Sequence, residues 1–118
     1  MTRNITKSAR IAVAALALAP ATAMAIPMLY EEQLAHSEET RIIRYPIAGI
    51  ENQWWFNYRS NVGEARKELA SDLKRASDTE DKRDAWDEYA GELKDERVDY
   101  VKKMQKKGYP VGEVYVGD

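Results

Sequence analysis

Ala76-Ser77-Asp78-Thr79-Glu80-Asp81 lies in the middle of a helix-forming, heavily charged stretch that runs from Glu51 to Lys107, and its reading decides the fold. Ser77 and Glu80 have the spacing of a capping box, in which the serine hydroxyl caps the third amide and the glutamate returns the bond. Asp78, Glu80 and Asp81 add negative charge where a new helix N-terminus favours it. If a helix restarts here, the chain folds back into an antiparallel two-helix hairpin, about 51–77 and 79–107. If it does not, the same residues continue as one long helix that pairs as a parallel coiled-coil dimer. No glycine or proline between Glu64 and Ala90 forces a turn. However, the continuous seam would place Asp72, Thr79 and Arg83 in a coiled-coil core, where charged layers are expensive. The hairpin is therefore the expected fold, and the class is all-α.

On either side of that turn the apolar pattern has a helical period. Trp55, Tyr58, Val62, Ala65 and Leu69 alternate three and four apart, a heptad-like seam. Gly63 is its weak position and costs about 1 kcal/mol relative to alanine. Beyond the turn the pattern resumes at Trp86, Tyr89, Ala90, Leu93, Tyr100, Val101 and Met104. In a hairpin, facing residues have position numbers of constant sum, near 159, so that Val62 meets Arg97 and Leu69 meets Ala90. Lys102, Lys103, Lys106 and Lys107 suit a helix C-terminus, Gly108 suits the residue that ends it, and Pro110 follows.

The flanks carry less signal. Residues 26–50 read as an irregular or short-element segment: Ile26 to Ser37 is a short helical or irregular lead with Leu29, Tyr30 and Leu34 as anchors, and Arg41 to Tyr45 a short extended piece ended by Pro46. Residues 109–118 read as an extended tail. Both are expected to pack at the open end of the hairpin, with Gly112 to Val116 able to pair with Arg41 to Tyr45. Residues 1–25 have the form of a cleaved signal peptide: Arg3, Lys7 and Arg10, then an alanine- and leucine-rich run, Pro20, and Ala-x-Ala sites ending at Ala25. This predicts a bacterial protein exported to the periplasm or secreted, with no stable membrane insertion once the leader is removed.

Removing 25 residues from 118 leaves 93, and 15 basic against 20 acidic residues, net −5. Nucleic acid is not an expected partner of such a chain, because backbone binding needs a basic stripe. A domain this small has a marginal core, and with no cysteine it has no disulfide to reinforce it. Helix pairing, self-association or a protein partner is expected to supply the rest.

No catalytic or metal-binding motif stands out, and neither enzyme activity nor a cofactor is expected. His36 is the single histidine and sits in a polar segment. The six glycines are scattered and form no phosphate-cradling loop. Asp84, Glu88, Glu92, Asp95 and Asp99 make one acidic stripe, but carboxylates along one straight helix do not surround a cation that takes six or more oxygens. The candidate binding residues are aromatic: Trp54, Trp55, Phe56, Tyr58 and Trp86. Aromatics give large contact area at low entropy cost, and one helix seam cannot cover Trp54, Trp55, Phe56 and Tyr58 together. The expectation is a small helical binding or adaptor protein, chaperone-like in the sense of gripping an unfolded chain. The alternative is an assembly protein that works as an elongated coiled-coil dimer.

Overall fold

In the computed structural model, residues 26–112 are described. The expected leader and the end of the tail, including the proposed pairing of Gly112 to Val116 with Arg41 to Tyr45, lie outside the described residues. The described chain is all-helical: α1 (Tyr30–Glu39), a 3-10 turn (Ile47–Gly49), α2 (Gln53–Arg75) and α3 (Thr79–Lys106). Both α1 and α2 pack on α3, which makes the last helix the spine of the fold.

The helix does break between α2 and α3, but not with the expected residues. Asp78 is the N-cap, its side chain accepting from Asp81 N–H at 2.8 Å. The Asp81 carboxylate in turn accepts from both the N–H and the hydroxyl of Ser77, at 3.1 and 3.0 Å. The cap is therefore Asp78 on Asp81, one residue beyond the expected Ser77 with Glu80, and the return bond goes to Ser77 rather than to the cap residue itself. An aspartate caps as well as a serine, and the chain offers both side by side. At the other end of α2, the Asn52 side chain caps Trp55 N–H at 3.1 Å and reaches Met104 Sδ at 3.4 Å. The end of α3 is a Schellman motif: Gly108 has φ +89°, and Gly108 and Tyr109 N–H bond the carbonyls of Gln105 and Met104.

Contacts such as Asn52 with Met104 and Asn61 with Glu96 run the two long helices antiparallel. They enclose Trp55, Tyr58, Val62 and Ala65 from α2 against Tyr89, Leu93, Tyr100 and Met104 from α3. The rings of Tyr58 and Tyr100 stack with centroids 5.0 Å apart, and Trp55 lies 5.8 Å from Tyr100.

A two-helix description is incomplete, because the lead read as short helix or irregular chain forms α1, a full helix of the fold. This helix does not sit at the open end. It runs along α3 in the same direction, with Glu31 on Arg83 at 2.9 Å, Glu39 on Tyr89 at 2.7 Å, and Glu38 on Arg97 at 2.6 Å. Its buried residue is Ala35, while the expected anchors Tyr30 and Leu34 are exposed. Docking through an alanine and three glutamates leaves no apolar period to read.

Beyond α1 the chain continues beside α3 without forming a strand. Buried amides are satisfied by tyrosines instead: Ile43 N–H donates to the Tyr58 hydroxyl at 2.9 Å, and Ile47 N–H to the Tyr100 hydroxyl at 3.0 Å. Ala48 at φ 56° and Gly49 at φ 71° then turn the backbone through the left-handed region toward α2. This conformation is costly for alanine. It follows directly on Ile47, which is buried.

Candidate functional site

The aromatic residues singled out by sequence fall into three environments. Trp55 and Tyr58 are core, both almost fully buried. Trp86 is half-buried beneath α1, its ring 5.4 Å from His36 and 6.2 Å from Tyr89. Trp54 and Phe56 remain accessible, Phe56 at 52%. The Lys107 ammonium lies 5.2 Å from the Trp54 ring centroid, a cation–π contact at the end of the hairpin. These five residues do not form one patch.

A groove of about 310 Å³ opens instead between the segment after α1 and the outer flank of α2. Ile42, Ile43, Trp55, Tyr58 and Val62 form its apolar floor, with Gly63 beside them. Arg44, Arg59 and Arg66 form its rim, and no acidic residue lines it. Helical geometry explains the α2 contribution: Arg59, Gly63 and Arg66 fall within about 60° of one another at 100° per residue. Arg59 lies over the Trp55 ring at 5.7 Å, a cation–π contact that keeps its guanidinium beside the floor. Arg66, at the lower end, lies close enough to Glu39 to help lower its pKa.

Beneath this segment Arg97 is 2% exposed. Its Nη1 pairs with Glu38, while Nε and Nη2 have no hydrogen-bond partner among the described residues. Tyr58 is pushed above its ordinary range, chiefly by burial.

His36 is held by two carboxylates, with Nδ1 2.7 Å from Glu39 and Nε2 3.4 Å from Glu32. The hydrogen bond to Glu39 raises the imidazole above its usual value, partly opposed by burial. Burial works to raise Glu39 as well, but hydrogen bonds from His36 and Tyr89 outweigh it and hold the carboxyl low. Tyr89, buried and bonded to Glu39, is pushed up to about 12. This is a structural clasp between α1 and α3, with no nucleophilic hydroxyl bonded to the imidazole.

On the opposite side of the hairpin the acidic stripe meets a residue that sequence reasoning left out. Glu68 of α2 comes across to Glu88 and Glu92 of α3, with one carboxylate oxygen of each within 4.8 Å of the others. Glu88 is raised above its ordinary value mainly by Glu68, and Glu92 mainly by burial and then by Glu68. Three carboxylates offer a cation an incomplete shell, since calcium takes six to eight oxygens. The expected hairpin register already places Glu68 near this stripe, and that was the signal available for it.

No helix among the described residues is long and apolar enough to cross a membrane. Comparison of the chain with protein-family models, curated proteins and solved structures returns no match. Function is therefore read from the side chains and their arrangement.

Proposed function

We propose that the mature chain is a small exported helical binding or adaptor protein, without catalytic machinery, whose contact surface is the groove between the segment after α1 and α2. One observation carries this reading: apolar side chains and three arginines line one cavity on the flank of α2. Aromatic and arginine side chains are the groups that dominate binding energy at protein interfaces. Of the expected aromatic residues, Trp55 and Tyr58 contribute as the floor of this groove. Trp54, Phe56 and Trp86 belong to other surfaces of the same binding protein.

Gly63 provides the test. A Cβ at this position meets nothing within 4 Å, so a side chain added here starts in open space and projects into the groove that Gly63 lines. Gly91 of α3 is equally open and lies outside the groove, and it serves as the control. Peptides selected from a random display library on the wild-type protein are expected to lose binding to Gly63→Leu and to keep it with Gly91→Leu. Selected binders indifferent to Gly63→Leu would remove the groove from the function.

A further inference from the structure

Resting on the reading of the groove as a binding surface, we propose that its occupant is an acidic, extended segment of another protein. Its carboxylates would meet Arg44, Arg59 and Arg66, with an aliphatic side chain over Gly63.

The charge distribution is the first argument. The whole chain has 20 acidic against 18 basic residues, yet the groove carries three arginines and no acid. By contrast, a cavity near the turn is lined by Asp72, Asp81, Asp84 and Glu88, with Arg75 its one basic residue. Neither Arg44 nor Arg59 enters an ion pair among the described residues. The Arg59 guanidinium lies over the Trp55 ring, and no hydrogen bond from its fork of N–H donors to another described residue is seen. Such a fork matches a carboxylate in a bidentate way.

The spacing is the second. Arg59 and Arg66 are two turns apart on one helix face, about 10 Å at 1.5 Å per residue. An extended chain advances about 3.3 Å per residue and points alternate side chains the same way. Five such residues therefore cover the rim, with acidic side chains at the first and fifth positions and the aliphatic one at the third, all on one face and about 13 Å from end to end, within reach of the long arginine side chains.

Gly63 is the third, and it is independent of charge. A glycine in the interior of α2 weakens the helix by about 1 kcal/mol relative to alanine. No neighbouring atom demands it, because an added Cβ would touch nothing within 4 Å. Its effect is to leave the floor between the arginines open.

The experiment uses protein expressed with its leader and purified after processing. Fluorescence anisotropy would follow three labelled peptides with the repeats Asp-Ser-Ile-Ser, Lys-Ser-Ile-Ser and Ser-Ser-Ile-Ser, which place the first and third residues of each repeat on one face of an extended chain. The acidic peptide is expected to bind, and the other two to bind at least tenfold more weakly. Arg44→Ala with Arg59→Ala is expected to weaken the acidic peptide at least tenfold, as is Gly63→Leu. Both arginines are exposed, so the variant should keep the wild-type melting temperature. Raising the ionic strength should weaken the same complex, because exposed charges are screened.

Equal binding of all three peptides with sensitivity to Gly63→Leu would overturn the acidic specificity while the groove reading stands. Acidic-peptide binding indifferent to both variants would sink the two readings together. Sedimentation at low salt covers another occupant: self-association abolished by Arg59→Glu would assign the groove to a second copy and overturn this proposal.

Discussion

The two sides of the α2–α3 pair are made from the same two helices and completed in different ways. One side is covered by α1 and the segment after it, stitched down by Glu38 on Arg97, Glu39 on Tyr89, and two tyrosine hydroxyls that accept buried amides. The other side is bare, and there Glu68, Glu88 and Glu92 stand against one another. Covering a side permits burial of a cation and of backbone amides, provided each is met by a partner. Leaving a side open tolerates like charges, because water screens them. The contrast shows that this small domain is completed by polar attachment of its N-terminal segment as much as by the apolar seam.

The covered side should therefore be sensitive and the bare side tolerant, beginning with Arg97. Arg97→Ala leaves Glu38 with only the longer pair to Arg41, at 3.6 Å, and opens space beneath α1, and is expected to cost about 3 kcal/mol by chemical denaturation. Replacing both partners, Arg97→Met with Glu38→Gln, should recover most of that loss, because two orphaned guanidinium nitrogens disappear with the charge. If the double variant is as unstable as the single one, the pair is not what attaches α1.

The tyrosine contacts come next. Tyr58→Phe and Tyr100→Phe each strand a buried N–H, of Ile43 or Ile47, and each should cost about 1–3 kcal/mol. Hydrogen exchange gives the sharper check: the affected amide should exchange faster while amides in the middle of α3 keep their protection.

On the bare side the sign reverses. Folding raises Glu88 and Glu92 above the ordinary 4.5, so their contribution is full below that value and falls as pH rises through the raised ones. Glu68→Gln should relieve part of this. A gain of a few tenths of a kcal/mol near neutral pH is expected, the scale of exposed charge pairs, and it should vanish near pH 4. A loss of stability at neutral pH would mean that Glu68 has a favourable partner on this face.

The smallest effect belongs to His36, at the edge of the covered side. Its folded value is raised above 6.5, so its contribution is complete below 6.5 and is lost as pH rises through the raised value. Glu32, Glu39 and the Trp86 ring face it. His36→Asn should flatten the stability profile across that window. An unchanged slope would detach the imidazole from the clasp.

Legibility followed the kind of contact each part makes. The long helices could be read because Trp55, Tyr58, Val62 and Ala65, and then Tyr89, Leu93 and Tyr100, repeat an apolar period. The Schellman end was readable because Gly108 and Pro110 act locally. The cap moved by one residue because Ser77 and Asp78 are adjacent candidates of similar quality. The docking of α1 along α3 escaped because it uses Ala35 and carboxylates, which lack a hydrophobic period. Of the candidate aromatics, sequence identified the residues but not their fates. Trp54 and Trp55 are neighbours in the chain, and 100° of helix separates a side chain exposed to Lys107 from one in the core.

By itself, the sequence determined the helical class, the position of the break and the end of α3, since all three are written in local periodicity, capping and turn residues. Only the tertiary structure decided that the N-terminal segment lies along α3, that Arg97 is buried, and that Arg44, Arg59 and Arg66 share one groove. These depend on residues far apart in the chain meeting through polar contacts, whose partners are chosen by packing geometry rather than by any local pattern.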